Sequence, residues 1–548
     1  MSSSTQPAAS IAGTRRQPRI PPLAPPLAQA GTLHPLLAMQ AGLLAVCAVL
    51  LAAIWLRNGG FAYTLDAPYT HLSLAEQVLR GTYGLNPGEP ASPSSSILYP
   101  FLLAGLALLP LGQFPPLLVN LAAAMASVAL LHGLAREAGI RLSRVAPWML
   151  AMFTATAALG LNLAGLAFSG LEHSLHVTLT LASLLGLLRF LRRGRADWWW
   201  LASMVLLPLL RFEATAALLA DVLVLGLYGR MRHAALVLLV GGLPVLAFCA
   251  FLHSQGLPWL PLSVLDRSQV AVTGLEVGAS GPLAMLHAMY AAFRQNLMAY
   301  GGAHIVALLV ALAFSFRPEP RRAVVVGFCL LVGLAQLVGG SLNSFSRYEI
   351  YVLVLGLAGL MVLHGPALDG WLARLRPGRA VLVCLAALFL FAGYVLRTAD
   401  AVPASGNVAD QQRTMRRFVT REWRQPFATN HPGWVNWRNP NYMLDLSGLG
   451  SFEARQGAQS AEPDWADKLV RRHGVALAML YDNAIPRTPP AAWQPVARMT
   501  LRNRVVTAVG PSITFYATRP EAVGEVRDAL GRFTPSLPEG VRLTMLPE

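Results

Sequence analysis

Residues 61 to 100 contain three side chains that can take part in proton transfer. Asp66, His71 and Glu76 are spaced five residues apart in the segment LDAPYTHLSLAEQ, directly after the first long apolar run. Glu89 follows them, ahead of the turn ASPSSS. A carboxylate held in a loop at a membrane surface can act on a lipid-linked substrate. These residues are therefore the first candidates for a catalytic site.

The composition predicts that membrane helices position this loop. Of the 548 residues, 55% are hydrophobic and 13% are charged, and the mean hydropathy is +0.49, which excludes an ordinary soluble domain. The net charge of +16 is compatible with a nucleic-acid-binding protein, but the arginines form short clusters between apolar runs, as in membrane topology signals. We therefore expect the lipid bilayer as a partner and no nucleic acid. The four cysteines lie inside apolar runs without close spacing, which favours neither a disulfide framework nor a thiolate metal site.

Twelve apolar runs are candidates for membrane spans, and the arginine clusters select among them. The positive-inside rule assigns to the cytoplasm the linkers 136–144, 189–195, 230–232, 317–322 and 374–379. These linkers share a side with the basic N-terminal tail only if the run 97–112 does not cross. That run contains Pro100 and Pro110 near its ends and would be roughly 22 Å long as a helix, against a hydrocarbon core of about 30 Å, which favours a re-entrant or interfacial element.

We therefore predict a polytopic α-helical membrane protein with about 11 transmembrane helices, its N-terminus in the cytoplasm and its C-terminus outside. The predicted spans are 34–56, 114–134, 146–167, 171–190, 198–210, 214–228, 234–253, 302–316, 323–341, 347–364 and 380–397. The segment MLHAMYAAFRQNLMAY, before the span 302–316, is typical of an interfacial helix on the outer surface.

The chain divides into three regions by composition. Residues 1–33 are rich in Ser, Ala and Pro and are predicted to be a disordered cytoplasmic tail. Residues 34–397 carry the spans, with the first outer loop at 57–113. Residues 398–548 have more charge and more Trp, and predict a soluble α/β domain outside the cytoplasm.

Within that C-terminal domain, four segments have clear periodicity. DWADKLVRRHG and PEAVGEVRDALGRF predict helices, VALAMLYD predicts a buried strand, and RVVTAVGPSITFYAT predicts two strands around a Gly-Pro turn. A further segment, NHPGWVNWRNPNYMLDLSGLG, places aromatic and amide side chains near Asp445. Such side chains suit sugar faces and hydroxyls, and aromatic residues are equally common at a membrane interface.

The predicted topology places further charges on the outer side: Glu172 in SGLEHS, Arg211 and Glu213 in LLRFEA, and Arg347 in SRYE. Arg-Phe-Glu interrupts the apolar stretch 197–228, and we prefer a hairpin of two short helices there. A single long helix would move every later arginine cluster outside. An arginine at membrane depth suits a phosphate group, because its planar fork donates to two oxygens. The alternative is a structural pairing of Arg211 with Glu213, and each of these charges alone could simply cap or anchor a helix.

The first outer loop resembles that of the GT-C integral membrane glycosyltransferases. This class includes lipid-A aminoarabinose transferases, protein mannosyltransferases and mycobacterial arabinofuranosyltransferases. In the most similar branch the loop has Asp-Asp-Ala-Tyr, an amphipathic helix, Asn-Pro-Gly-Glu and a Ser-rich turn. The matching residues are Asp66, Tyr69, Gly81, Asn86, Pro87, Gly88, Glu89 and Ser94 to Ser96. The resemblance continues in order through SGLE at 169–172, RFE at 211–213, RY at 347–348 and LDLSGLG at 444–450, and so covers most of the chain.

This resemblance implies a glycosyltransferase of the bacterial inner membrane with a periplasmic C-terminal domain. It would move a hexose or pentose from a polyprenyl-phosphate-linked donor to an extracytoplasmic glycan, lipid or protein acceptor, with inversion. Asp66 would be the general base or a metal-contacting carboxylate, and Arg211 and Arg347 would bind the donor phosphate. The other implied site candidates are Tyr69, His71, Glu76, Glu89, Glu172, Glu213 and Asp445.

Ala67 stands where the family has a second Asp. Because Mg or Mn prefers several oxygen ligands, this difference leaves dependence on a divalent cation open, with Asp66 as the one candidate ligand. It also leaves open a non-catalytic homologue that binds glycolipid. A transporter is the third alternative, but the sequence has no evident internal repeat and its charges gather on one face.

Overall fold

The computed structural model describes residues 33–267, 282–342, 345–460, 462–481 and 489–547. The predicted disordered tail, 1–33, lies outside these residues except for its last position. Within the described residues, helices dominate as far as residue 423, and a mixed sheet with helices on both faces follows.

Most of the described helices before residue 268 are apolar, as the hydropathy pattern predicts. In chain order they are α1 (Leu33–Asn58), α2 (Ala67–Leu79), α3 (Leu98–Ala107), α4 (Pro115–Glu137), α5 (Pro147–Gly160), α6 (Leu163–Ser169), α7 (His173–Arg193), α8 (Trp198–Leu210), α9 (Thr215–Leu227), α10 (Met231–Ser254) and α11 (Leu262–Arg267). The helices after residue 281 are Pro282–Met298, Tyr300–Phe314, Pro320–Gly339, Ile350–Leu363, Gly365–Leu372, Pro377–Leu390, Ala392–Ala399, Ala401–Asp410 and Gln412–Phe418.

By length and composition, five helices in the described residues can each cross a membrane alone: His34–Asn58, Pro115–Glu137, His173–Arg193, Met231–Ser254 and Pro320–Gly339. Four further pairs of helices are bent by 57° to 95° at a short break, and the total reaches nine if each pair is one span. The predicted α-helical class with several apolar spans is thus confirmed, while insertion into a membrane and the number eleven stay predictions. The count of eleven depends on whether α8 and α9, which are 13 residues each, both cross the membrane.

Three local predictions can be compared with the helix boundaries. The run 97–112 forms only the ten-residue α3, about 15 Å long, which is shorter than a membrane core. The chain leaves helical geometry between α8 and α9 at Arg211, whose φ and ψ are −149° and 131°. This break agrees with the predicted hairpin and excludes a single long helix. The predicted interfacial helix, Pro282–Met298 in the structure, meets Tyr300–Phe314 at 95°.

The C-terminal domain is built on a six-stranded mixed sheet with the order β2-β1-β3-β5-β4-β6. Its strands are β1 (Phe427–Thr429), β2 (Met443–Asp445), β3 (Leu477–Leu480), β4 (Gln494–Leu501), β5 (Ser512–Ala517) and β6 (Val541–Met545). β1 pairs in parallel with β2 and β3, and the remaining pairs are antiparallel. The helices of the domain are Phe452–Gln459, Trp465–Arg472 and Val523–Phe533.

β3 shows why its sequence is apolar at every position. Leu477 and Met479 join the core that includes Leu530, whereas Ala478 and Leu480 join the core beneath Trp465 on the opposite face. A strand covered on both faces loses the usual alternation of polar and apolar residues. The predicted buried strand and the two predicted helices are confirmed, and so is the α/β class of the domain.

The prediction of two strands in RVVTAVGPSITFYAT is wrong in its first half. Residues 512–517 form β5, but residues 504–509 form a loop, and the partner of β5 is the earlier segment β4. Asn407 explains the difference, because its side-chain oxygen accepts hydrogen bonds from the backbone N–H groups of Val506, at 2.6 Å, and Thr507. These bonds use donors that a strand would need for its ladder.

Candidate active site

Asp66 lies at the start of α2, where the first outer loop turns back toward the helices. Pro68 occupies the first turn of α2, a position that needs no backbone donor. The Asp66 side chain does not cap its own helix. Instead its Oδ1 accepts a hydrogen bond of 2.8 Å from the backbone N–H of Trp434, in the C-terminal domain. The carboxylate is therefore held at the junction of the membrane and soluble parts of the chain.

The segment 430–437 of the C-terminal domain covers Asp66. His431 Nε2 lies 3.5 Å from Asp66 Oδ2, and the ring of Trp434 stacks on Tyr69 at 4.1 Å between centroids. Gly433 permits this close approach, because a Cβ there would overlap the Asp66 carboxyl group. Thr70, one turn into α2, donates a hydrogen bond of 3.0 Å to the Pro432 carbonyl.

Burial changes the ionisation of this pair. Asp66 is 7% exposed, and its Oδ2 has no hydrogen-bond partner among the described residues. Burial raises the pKa of Asp66 from 3.8 to about 7, and the hydrogen bond from Trp434 opposes that rise only in part. Burial lowers the pKa of His431 to about 4, so that its imidazole is neutral at pH 7. At neutral pH the Asp66 carboxyl group thus exists in both protonation states.

Arg211 is the centre of a second buried cluster. Its Nη1 donates to Glu172 at 2.7 Å and to Ser95 at 3.0 Å, while its Nε and Nη2 donate to the two oxygens of Glu213 at 3.2 and 2.6 Å. Arg211 is 3% exposed and Glu172 is 1% exposed. The extended backbone at Arg211 aims its side chain at the first outer loop rather than along a helix. The Ser-rich turn and SGLE motifs, which are far apart in the sequence, therefore meet here.

Arg347 joins this cluster through an aromatic ring. The guanidinium carbons of Arg347 and Arg211 lie 4.8 and 5.0 Å from the ring centroid of Tyr348. Arg347 also donates a hydrogen bond of 3.0 Å from Nη2 to the Tyr348 hydroxyl. The structure thus brings together the two arginines to which the sequence assigns phosphate binding.

Two neighbouring cavities lie beside the Arg211 cluster and the start of α2. The larger is about 250 Å³ and is lined by Ser95, Arg211, Glu213 and residues of the 339–341 turn. A smaller one is lined by Ala67, His71, Ser95 and Glu172. Ser95 lines both, so the two cavities share this one wall, whereas Asp66 itself lines neither of them. His71 lies on the α2 side of the smaller cavity, with its ring edge-on to Tyr99 at 5.3 Å.

The remaining predicted residues lie at the contact between the first outer loop and the C-terminal domain. Glu76 is partly exposed and accepts a hydrogen bond of 3.1 Å from Arg438. Glu89 accepts hydrogen bonds from Asn86 at 2.7 Å and from Ser451 at 2.5 Å. Both carboxylates hold the loop against the domain through these hydrogen bonds, rather than through a contact with Asp66 among the described residues.

Asp445 shapes a turn of the C-terminal domain. It is fully buried, and it accepts hydrogen bonds from the Ser447 backbone and hydroxyl and from the Gly450 backbone at 2.6 to 2.9 Å. Burial raises the pKa of Asp445 to about 6, and these hydrogen bonds oppose that rise. The turn places Leu449 in the small cavity beside Ala67 and His71. Asp445 thus positions one wall of the cavity without lining it.

The donor set near Asp66 does not fit a divalent metal ion. Among the described residues, no group of three or more His, Cys, Asp and Glu side chains is arranged to bind a metal. In the described part of the chain, His431 is the second possible ligand beside Asp66, and Ala67 supplies none. Mg²⁺ and Mn²⁺ prefer several oxygen ligands.

Sequence reasoning did not single out His431, Gly433 and Trp434 as site residues. The sequence signal of the segment NHPGWVNW is its aromatic and amide content. Its contact with Asp66 joins residues 368 positions apart. Local periodicity carries no information about a contact at that separation.

Comparison with known proteins yields matches at the level of fold. Residues 406–516 match a family described as a domain of unknown function, DUF8728. No curated protein sequence matches the chain. A solved structure of an oligosaccharyltransferase from Archaeoglobus fulgidus, in complex with Zn and sulfate, is similar with a TM-score of 0.50 and 12% sequence identity, over 92% of this chain and 75% of that one.

Two bacterial structures superpose at lower scores. ArnT from Cupriavidus metallidurans bound to undecaprenyl phosphate has a TM-score of 0.46 and 13% identity, over 87% of this chain and 97% of that one. The arabinofuranosyltransferase AftD from Mycobacteria has a TM-score of 0.38 and 15% identity, over 87% of this chain and 41% of that one. The similarity to the archaeal oligosaccharyltransferase spans nearly the whole chain. The protein therefore has the fold of the GT-C glycosyltransferases.

Proposed function

We propose that this protein is a membrane glycosyltransferase that moves a sugar from a polyprenyl-phosphate-linked donor to an extracytoplasmic acceptor. The observation that carries the proposal is the environment of Asp66. Its carboxylate is buried, one oxygen has no hydrogen-bond partner among the described residues, and its pKa is raised to about 7. A general base is most effective when its pKa lies near the working pH, because it is then both ionised and basic.

The Arg211 cluster supplies the means to bind the donor phosphate. An arginine has five N–H donors, and Arg211 uses four of them on Ser95, Glu172 and Glu213. The fifth, on Nη2, remains for a phosphate oxygen beside the 250 Å³ cavity. The two carboxylates hold the guanidinium in place, and Arg347 adds a second positive charge across the Tyr348 ring. Charge-assisted bonds of this kind are stronger than neutral ones.

The reaction follows from this arrangement. Asp66 takes the proton of an acceptor hydroxyl, and that oxygen attacks the anomeric carbon of the donor sugar. The bond from that carbon to the phosphate oxygen breaks, and polyprenyl phosphate leaves with the electron pair. Arg211 and Arg347 stabilise the negative charge that develops on the phosphate. Attack opposite the leaving group inverts the anomeric carbon. We place this reaction on the periplasmic face of a bacterial inner membrane, where nucleotide sugars are absent and a lipid carrier is required.

The experiment compares sugar transfer by membranes that contain wild-type protein or Asp66→Asn. The donor is a radiolabelled polyprenyl-phosphate sugar pool extracted from the producing cells, and the control is Asp528→Asn, which changes an exposed carboxylate of the C-terminal domain. We expect transfer by the wild type and the control, and a loss of 100-fold or more for Asp66→Asn, on the order of a general-base contribution. Equal transfer by all three would refute the catalytic role, and binding of the donor without turnover would support the non-catalytic homologue.

A further inference from the structure

A second large cavity lies between the later turns of α2 and the C-terminal domain. It is about 750 Å³, a volume typical of ligand pockets, and we call it the amide groove. Its lining includes five amide side chains: Gln77, Asn86, Asn436, Asn439 and Asn441. Ser73 also lines it, and the ion pair of Glu76 and Arg438 lies along it.

The groove begins on the same face of α2 as the Asp66 carboxylate. Asp66, Thr70, Ser73 and Gln77 are separated by four, three and four residues, so they form one row along the helix. At a rise of 1.5 Å per residue, Ser73 lies about 10 Å and Gln77 about 16 Å along α2 from Asp66. The hydrogen bond from Thr70 to Pro432 lies between, so a ligand that reaches Asp66 from the groove must displace this contact.

Several polar atoms of the groove are available to a ligand. Ser73 is 4% exposed, and its hydroxyl has no hydrogen-bond partner among the described residues. Asn436 and Asn441 donate from their NH₂ groups to the backbone carbonyls of Leu85 and Val419, which leaves both amide oxygens as acceptors. Gln77 accepts from Thr82 at 3.2 Å, which leaves its own NH₂ group as a donor. The groove thus presents donors and acceptors together.

The polar lining of the amide groove differs from the lining of a nearby apolar cavity. That cavity, about 580 Å³, is lined by Tyr83, Phe101, Phe248 and Phe251, with α10 on one side. An alkyl or prenyl chain would bury itself there and would leave the amides of the groove without partners. A polar ligand with many hydroxyl groups can instead satisfy amide donors and acceptors at once, since each hydroxyl both donates and accepts.

We infer that the amide groove binds a hydroxyl-rich glycan, which is the acceptor for sugar transfer. The inference rests on the proposed function, because it assigns to the groove the second substrate of that reaction. The reacting hydroxyl lies at Asp66, and the sugars behind it follow the row of α2 side chains to Ser73 and Gln77. The acceptor class is therefore a glycan, with a lipid or a protein as the alternatives that the test must separate.

The test uses the full-length protein in proteoliposomes with the radiolabelled polyprenyl-phosphate sugar pool. The acceptor probe is a set of water-soluble oligosaccharides released from the surface polysaccharide of the producing cells. Loss of label from the donor and gain of label in the oligosaccharides are measured separately. Ser73→Ala removes a hydroxyl that has no partner in the described chain, and Gln77→Met removes the amide at similar volume. We expect each to raise KM for the oligosaccharide about 5-fold, the effect of one hydrogen bond, with kcat unchanged.

The matched control is Gln425→Ala, which removes an exposed amide of the same domain that bonds to Glu525. It should leave both kinetic constants unchanged. Label that leaves the donor but enters lipid or protein would overturn the glycan assignment and leave the transferase in place. Transfer to oligosaccharides with unchanged KM in both groove variants would overturn the groove as their site. Label that never leaves the donor in the wild type would overturn the proposed function, and the inference with it.

Discussion

Replacement of Asp66 by Asn separates the ionisation of this side chain from its position in the site. The amide oxygen can still accept the hydrogen bond from Trp434 N–H, and the side-chain volume hardly changes. The ionisable group is lost, and an NH₂ group replaces the second oxygen. Burial raises the pKa of Asp66 from 3.8 to about 7, and each unit corresponds to 1.36 kcal/mol. At pH values above 7 the ionised carboxylate therefore lowers the free energy of unfolding by about 4 kcal/mol.

The sign of the pH dependence follows from the direction of the shift. The folded protein binds the Asp66 proton more tightly than the unfolded chain does. Stability from this group is fully present below pH 3.8 and is lost as the pH rises to about 7. Asp66→Asn lacks this dependence. The difference in the free energy of unfolding, Asp66→Asn minus wild type, should therefore increase by about 3 kcal/mol between pH 5 and pH 8.5.

Chemical denaturation of the detergent-solubilised protein at these two pH values measures this change. Asp528→Asn serves as the control. Because its carboxylate is exposed, its unfolding free energy should differ from that of the wild type by the same small amount at both pH values. The same Asp66→Asn preparation should have lost sugar transfer. If the difference in unfolding free energy between Asp66→Asn and the wild type is the same at pH 5 and pH 8.5, the raised pKa of Asp66 is refuted. Retained transfer in a more stable Asp66→Asn protein would refute its role as the base.

Four further predictions concern the rest of the site. The initial transfer rate of the wild type should rise with pH and level off above about pH 7, because only ionised Asp66 accepts a proton; a rate that falls over pH 5 to 8 would contradict this. Gly433→Ala should lower kcat at least 10-fold, since the new Cβ meets the Asp66 carboxyl group, whereas Gly531→Ala, with open space around it, should not; equal kinetics would count against the observed cover. Arg211→Lys keeps the charge but loses the planar fork, so the KM for the donor should rise about 10-fold or more in steady-state assays, and an unchanged KM would remove Arg211 from phosphate binding. Asp445→Asn should lower the free energy of unfolding by about 1 to 3 kcal/mol, because an NH₂ group cannot accept the hydrogen bond that holds the 445–450 turn, and unaltered denaturation would show that this turn needs no such bond.

The helical part of the fold follows from the sequence for a simple physical reason. Apolar runs must be buried in lipid or protein, and charged clusters mark where they end. The break at Arg211 is predictable in the same way, because Arg-Phe-Glu cannot sit in the middle of a lipid-exposed helix. The meeting of Arg211 with Glu172, 39 residues apart, is not predictable in this way, since neither residue specifies its partner locally.

The contacts of the segment 430–437 with Asp66 cannot be predicted from hydropathy and charge patterns. These contacts depend on how the C-terminal domain docks onto the first outer loop, and the steric need for a glycine at Gly433 arises only in that docked arrangement. The misassigned strand at 504–509 has a related cause. Its β-branched residues favour a strand, but Asn407 captures the backbone donors of Val506 and Thr507. Tertiary hydrogen bonds therefore override local propensity at residues 504–509.

The most direct test of the proposed function follows both products of one turnover. Purified wild-type protein in proteoliposomes receives a radiolabelled polyprenyl-phosphate sugar and the oligosaccharide acceptor, and the free polyprenyl phosphate and the transferred sugar are quantified in the same sample. We expect the two in equal amounts, with neither formed by Asp66→Asn. A donor that stays intact in the presence of the wild-type protein and acceptor would contradict the assignment of this chain as a glycosyltransferase.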